Sequence, residues 1–195
     1  MAAVSTDLYD VRLRRPKLTL SDFVVLLGAI AAFAIGWAYK DWHDNRLRTT
    51  EISGVTVAYP HSWLNFPSFE PEVFRAVSND DSRQIIFLTT VTTPQVDILQ
   101  AITTNTVSPA QSAPGYTQLG NRATTIDGND AVVTDYSYVD ASIGGSTIPS
   151  VIVGQQYAWI VNGQLSVFAI EGPEDRWDTL EHDFKRIIDK VKISG

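Results

Sequence analysis

The sequence predicts an α+β protein: an antiparallel β-sheet covered by helices, preceded by a single transmembrane helix. Three observations carry this. Near the start of the 195-residue chain, Phe23 to Tyr39 form an uninterrupted apolar run of 17 residues, FVVLLGAIAAFAIGWAY. After residue 51, short segments of alternating polarity follow one another, separated by turn-forming residues. The chain then closes on a stretch with apolar residues at helical spacing, acidic at its start and basic at its end. Strands followed by a helix that must bury one face specify a sheet with helical cover.

Residues 1–18 carry Arg12, Arg14, Arg15 and Lys17 and read as a cytoplasmic tail. Thr19 with Asp22 three residues on reads as a capping box that starts the helix. At ~1.5 Å per residue the apolar run covers about 26 Å, and Leu18, Leu20 and Trp42 extend it toward the ~30 Å hydrocarbon core. A helix buried in a soluble core keeps a polar stripe. This one has none, so 19–42 reads as a membrane span. Trp37, Tyr39 and Trp42 crowd its end, where interfacial aromatics sit. Gly28, Ala32 and Gly36 recur at intervals of four and line one face with small residues, the candidate interface for a second transmembrane helix.

Four basic residues precede the span, against Lys40, Arg46 and Arg48 after it. This favours a cytoplasmic N-terminus and an external C-terminal domain. A cleaved signal peptide would use Ala32-Phe33-Ala34, but the apolar run continues past that site, so a retained signal anchor is expected. The place is then a bacterial inner (or photosynthetic) membrane, with the bulk of the chain in the periplasm. Residues 43–51 belong to a segment of balanced charge, KDWHDNRLRTTE, and read as a juxtamembrane linker.

The domain expected over 52–195 opens on a strand, Ile52 to Tyr59, broken at Pro60. Strands are predicted at Val73 to Val77, Gln84 to Val91, Tyr116 to Ile126, Ala131 to Val139, Pro149 to Val161 and Gln164 to Ile170. Asp127-Gly128 and Asn162-Gly163 are hairpin turns. Pro109 to Gly115 and Ala141 to Thr147 read as loops. Thr93-Pro94 reads as a cap and first helical residue, opening a short helix through Ile102 with Val96, Leu99 and Ile102 on one side. From Pro173 onward Trp177, Leu180, Phe184, Ile187, Ile188 and Val191 define an amphipathic helix.

Composition excludes several function classes. The chain has no cysteine, which removes thiol chemistry, disulfides and cysteine-based metal centres. A net charge of −7 argues against nucleic acid as a partner. Residues 52–195 hold 8 basic and 16 acidic residues, so the domain itself is acidic at −8 and favours basic partners. The search for chemistry finds little. Ser62 adjoins His61 without a nucleophile elbow. His182 lies between acidic neighbours on a helix, as on a solvated face. Asp127, Asn129 and Asp130 lack the rest of a calcium loop and are better read as turn formers. Asp80-Asp81 and Glu174-Asp175 fit a loop and a helix start. No catalytic residue, metal site or cofactor is expected, and the chain reads as a non-enzyme.

The opening strand runs into Tyr-Pro-x-x-Trp, within Gly54-Val55-Thr56-Val57-Ala58-Tyr59-Pro60-His61-Ser62-Trp63. With the middle helix, the Tyr136-x-Tyr138 strand, the Asn-Gly hairpin and the closing helix, this resembles the PsbP-like domains over about residues 50–195. The resemblance implies an α-β-α sandwich and non-enzymatic work, as in extrinsic photosystem subunits, assembly factors and secreted binding modules. No metal or chloride site is carried over from it, and the anchor departs from the soluble photosystem protein. Tyr59 and Trp63 are core aromatics on one reading and a partner-contact surface on the other. The expected function is that of a single-pass accessory subunit stabilising or assembling a membrane-embedded energy-converting complex, photosynthetic or respiratory. Its partners would be other subunits and the lipid bilayer. The alternative is an anchored binding module for a small molecule or envelope component.

Overall fold

The computed structural model describes residues 19–44, 46–68, 70–79, 84–105, 108–141 and 149–194. The N-terminal tail with its arginine cluster, Asp80-Asp81 and most of the 141–147 loop lie outside the described residues. The chain divides into two compact units, Met1–Trp42 and His43–Gly195.

The first unit is dominated by α1 (Leu20–Asp44). Its start is the expected capping box: the Thr19 backbone N–H donates to Asp22 Oδ2 (2.8 Å), and the Asp22 N–H points back at Thr19 Oγ1 (3.4 Å). From Leu20 to His43 it is long and apolar enough to cross a membrane, and none of its most apolar stretch is buried by the chain itself. Tyr39 and Trp42 pair with ring centroids 6.0 Å apart.

The second unit holds two antiparallel sheets. The smaller has order β1-β2-β10, from β1 (Leu47–Ile52), β2 (Val55–Pro60) and β10 (Lys192–Ile193). The larger has order β3-β4-β5-β9-β8-β7-β6. Its strands are β3 (Leu64–Phe66), β4 (Glu72–Val77), β5 (Ile85–Thr92), β6 (Thr117–Ile126), β7 (Asn129–Asp140), β8 (Ser150–Val161) and β9 (Gln164–Pro173). Asn162-Gly163 and Asp127-Gly128 make the expected hairpins, with all four residues at positive φ. Ser53-Gly54 is a third such turn, joining β1 to β2. Residues 47–51, expected to be linker, are therefore strand: Arg48, Thr50 and Ile52 register against Tyr59, Val57 and Val55. Balanced charge hid the pairing, because β1 has one exposed side and its polar residues face water.

The middle helix also differs from expectation. It is α2 (Ile98–Thr104), capped by Asp97, whose carboxylate accepts from the Gln100 N–H (2.8 Å). Thr93 opens no helix: its hydroxyl faces the Gln95 N–H (3.3 Å) and its own N–H donates to the Gly163 carbonyl of the β8–β9 hairpin (2.9 Å), which ties it to the sheet, and the helix begins only after Asp97. Val96 accordingly projects into solvent, 94% exposed, rather than sharing a face with buried Ile102. The closing helix α3 (Trp177–Ile188) buries Leu180, Phe184 and Ile187, after β9 has run through Pro173 and a 3₁₀ turn has followed.

Helices cover both faces of the large sheet. On one, α3 and β2 pack Phe184, Ile187, Val57 and Tyr59 against Phe74, Ile86, Leu88, Trp159, Phe168 and Ile170. On the other, α2 packs Ala101 and Ile102 against Ala158, Leu165 and Val167. Each fully buried side chain of this size contributes roughly 1.5–3 kcal/mol.

Candidate functional site

The α2 face carries the most unusual chemistry in the described residues. Three positions stand in one row across the sheet: Tyr136 on β7 opposite Gly154 on β8, and Gly154 opposite Glu171 on β9. Residues paired in antiparallel register share a face. Tyr136 therefore lies across the gap that Gly154 leaves, and its hydroxyl donates to Glu171 Oε2 (2.9 Å). A Cβ at position 154 would stand 2.5 Å from Tyr136 Cζ. Only glycine leaves the ring its path. Tyr138, two residues further along β7, donates to the other oxygen, Oε1 (3.1 Å). The two phenol rings stack at 6.4 Å, and Tyr116 flanks Tyr136 at 5.8 Å.

Glu171 is only 4% exposed. Burial pushes its carboxyl up to about 7, against the opposing pull of the two tyrosine hydroxyls and the Arg75 charge. Burial likewise raises Tyr136 and Tyr138, and the neighbouring carboxylate adds to it. Arg75 on β4 does not touch Glu171. Its guanidinium donates from Nε and Nη2 to Glu72 (2.8 and 2.5 Å), a paired geometry that holds it protonated. Beside this cluster opens a cavity of about 320 Å³, lined by Arg75, Ile85, Pro114, Tyr138, Val139 and Glu171 among others. The arrangement offers an acid that titrates near neutrality and a half-apolar chamber. It offers no nucleophile paired with a base. Among the described residues, no group of three or more histidine or acidic side chains is placed to hold a metal.

The residues singled out in the sequence fall elsewhere. Gly28 and Gly36 sit on α1 with no side chain or loop within 4 Å of where a Cβ would stand. Trp37, Tyr39 and Trp42 on the same helix are exposed. Tyr59 and Trp63 are buried in the α3-side core, 7% and 8% exposed, so the partner-contact reading of this pair is corrected: Tyr59 alternates inward along β2 with Val55 and Val57, and Trp63 packs into the same cluster. Ser62 lies in the turn after β2, where His61 accepts from Arg48 Nε at Nδ1 (2.6 Å). His182 is exposed on α3. Asp127 is a turn former with a second task, its carboxylate accepting from Lys192 Nζ (2.8 Å) and the Ile193 N–H (2.9 Å). These bonds lower its pKa.

Glu171 escaped the sequence reading because the β9 strand was expected to stop at Ile170. Two signals were present. Gly154 interrupts a strand interior, which marks close approach of another group. Glu171 directly follows the apolar run Val167 to Ile170, which marks a charge at the brink of the core.

No family model and no curated protein matches the sequence. Solved structures do match the fold. Cyanobacterial PsbP (CyanoP) from Synechocystis aligns over 75% of this chain and 92% of its own, with a TM-score of 0.55 at 15% identity. The Saccharomyces cerevisiae Ran-binding protein Mog1p aligns over 76% and 96%, with a TM-score of 0.51 at 10% identity. LpqN of Mycobacterium tuberculosis, described as involved in cell envelope biogenesis, aligns over 93% and 100%, with a TM-score of 0.49 at 15% identity. The antiparallel sheet between helical layers is thus shared with PsbP and Mog1p at identities where only architecture is common ground, and the domain that follows the apolar helix has the PsbP-like fold.

Proposed function

We propose that the chain is a single-pass, membrane-anchored accessory subunit, its PsbP-like domain serving as a non-catalytic binding module outside the membrane. One observation carries the reading: an apolar helix of 25 residues stands ahead of a folded domain, and none of its most apolar stretch is covered by the protein. Such a surface needs hydrocarbon around it. The small-residue face of Gly28, Ala32 and Gly36 is the proposed contact with another transmembrane helix, and Trp37, Tyr39 and Trp42 the proposed interfacial belt. The proposed orientation is N-terminus inside and domain in the periplasm, in a bacterial inner or photosynthetic membrane. The proposed setting is an energy-converting complex, photosynthetic or respiratory, by analogy with the PsbP fold.

Mild-detergent extraction and native gels test this. The protein should comigrate with a discrete complex, and Gly28→Ile combined with Gly36→Ile should weaken comigration while leaving insertion intact, since bulky side chains hold helix backbones apart. Undiminished comigration would move the attachment elsewhere. Cysteines placed at Ser5 and Thr125 should label from opposite sides of the membrane. Labelling from one side would overturn the span.

A second reading is favoured by the cavity at Glu171. An anchored module that holds a small molecule or envelope component would copurify as a monomer.

A further inference from the structure

We propose that the cavity beside Glu171 is a cation socket that takes an organic ammonium group on a short apolar stem. The inference rests on reading the domain as a non-catalytic binding module, and it is independent of what α1 contacts.

The charges around the cavity decide the sign of the ligand. Arg75 lines it, but two of its donors are committed to Glu72, whose carboxylate is itself buried, so this pair is neutral as a unit. Glu171 is different. Both its oxygens accept from hydroxyls, of Tyr136 and Tyr138, and among the described residues no basic side chain makes an ion pair with it. Each oxygen keeps a lone pair after those bonds. Asp140 on β7 lines the same cavity. The sum of Arg75, Glu72 and Glu171 is negative once Glu171 ionises. A carboxylate ligand would meet an engaged guanidinium and a buried acid. An ammonium would meet an acid that has no ion-pair partner among the described residues, which is the costly state of a buried charge.

Shape supplies the rest. Ile85, Ala110, Ala113, Pro114 and Val139 give the cavity apolar walls, and the Tyr138 ring offers a face to a cation. About 320 Å³ is at the lower end of small-ligand pockets and accommodates a four-carbon amine or one lysine side chain. The acidity of the whole domain draws cations toward it. A lysine of a partner protein and a free amine share this chemistry, and the experiment separates them.

The test uses the full chain in non-ionic detergent with ¹³C-labelled glutamate carboxyls, the Glu171 resonance being assigned by its loss in Glu171→Gln. At pH 8.5, n-butylamine should shift this resonance saturably and move its titration midpoint downward from about 7, because the bound cation favours the ionised form. At pH 5.5, with Glu171 protonated, binding should weaken roughly tenfold or more. The groups facing Glu171 that must hold their state are Glu72 and Arg75 from β4, and Tyr136, Tyr138 and Asp140 from β7. Butyrate and butanol, which keep the stem without the cation, should not bind. Glu171→Gln should abolish amine binding while the protein retains its melting midpoint or gains in it. Ala113→Phe, which fills the cavity and leaves the acid in place, should also abolish binding. A blocked peptide, acetyl-Gly-Lys-Gly-amide, supplies the second arm. Binding of the peptide assigns the socket to a partner's lysine, and binding of butylamine alone assigns it to a free amine. Equal binding of butyrate, unchanged amine binding in Glu171→Gln, or no response to either amine overturns the proposal. None of these outcomes alters comigration on native gels, so the two readings fail separately.

Discussion

The two faces of the large sheet are held by different physics. On the α3 face, Phe74, Ile86, Leu88, Trp159, Phe168 and Ile170 meet Phe184 and Ile187 in an apolar contact that has no required direction. On the α2 face, the same strands present Arg75, Tyr136, Tyr138 and Glu171 beside Phe87 and Ala169, and the arrangement depends on hydrogen bonds and on one missing side chain at Gly154. The first face tolerates exchange of one apolar residue for another of like volume. The second does not, because a buried polar group that loses its partner is left with the full cost of its desolvation. Stability and chemistry are thus segregated by the two-residue period of the strand: β9 alternates Phe168 and Ile170 toward α3 with Ala169 and Glu171 away from it.

The contrast is broken most severely on the apolar side. Phe168→Ala removes a fully buried ring between β5 and β8 and should cost about 3–5 kcal/mol, read from the urea midpoint. A loss under about 1 kcal/mol would mean that the α3 face is not the main source of stability. Gly154→Ala comes next, at about 1–3 kcal/mol, since the new methyl must displace the Tyr136 ring from its path to Glu171. In a Tyr136→Ala background, itself destabilised by the loss of a buried ring, Gly154→Ala should cost little, because the obstacle is gone. Equal cost in both backgrounds would place the strain in the backbone instead.

The gentlest effect is one of slope. The Glu171 carboxyl titrates at about 7 in the folded protein against an ordinary 4.5, so the folded state holds an extra proton between those values. Its contribution to stability is fully present below about 4.5 and is lost as pH rises through about 7. Glu171→Gln should flatten the stability profile across that window by at most ~1.4 kcal/mol per pH unit, whereas Phe168→Ala should lower the profile without changing its slope. A wild-type profile already flat between pH 4.5 and 7 would mean the acid is not held as described.

What could be read in the sequence follows the same division. Apolar periodicity located α1, the α3 face and most strands, because hydrophobic burial writes itself as spacing. The turns were legible at Asp127-Gly128 and Asn162-Gly163, where positive φ demands particular residues. Strand β1 was not, because one of its sides faces water. The start of α2 was misplaced because Thr93-Pro94 looks like a cap, while the side chain that accepts the N–H three residues on is that of Asp97. The acid site was invisible for another reason. Tyr136 and Glu171 are 35 residues apart, and nothing local in either strand announces that a glycine in a third lets them meet.

The small sheet has a consequence for how the protein is made. Strand β2 pairs with β1 immediately before it, but its other partner is β10, Lys192–Ile193, at the far end of the chain. Asp127, on the hairpin between, also waits for Lys192 and Ile193 to complete its bonds. The second edge of β2 therefore stays open until Lys192 and Ile193 have been made, a pairing of long sequence separation that is slow to form. A chain cut between α3 and Lys192 would hold every described strand of the large sheet, yet with an unpaired edge on β2 left open to association with other chains.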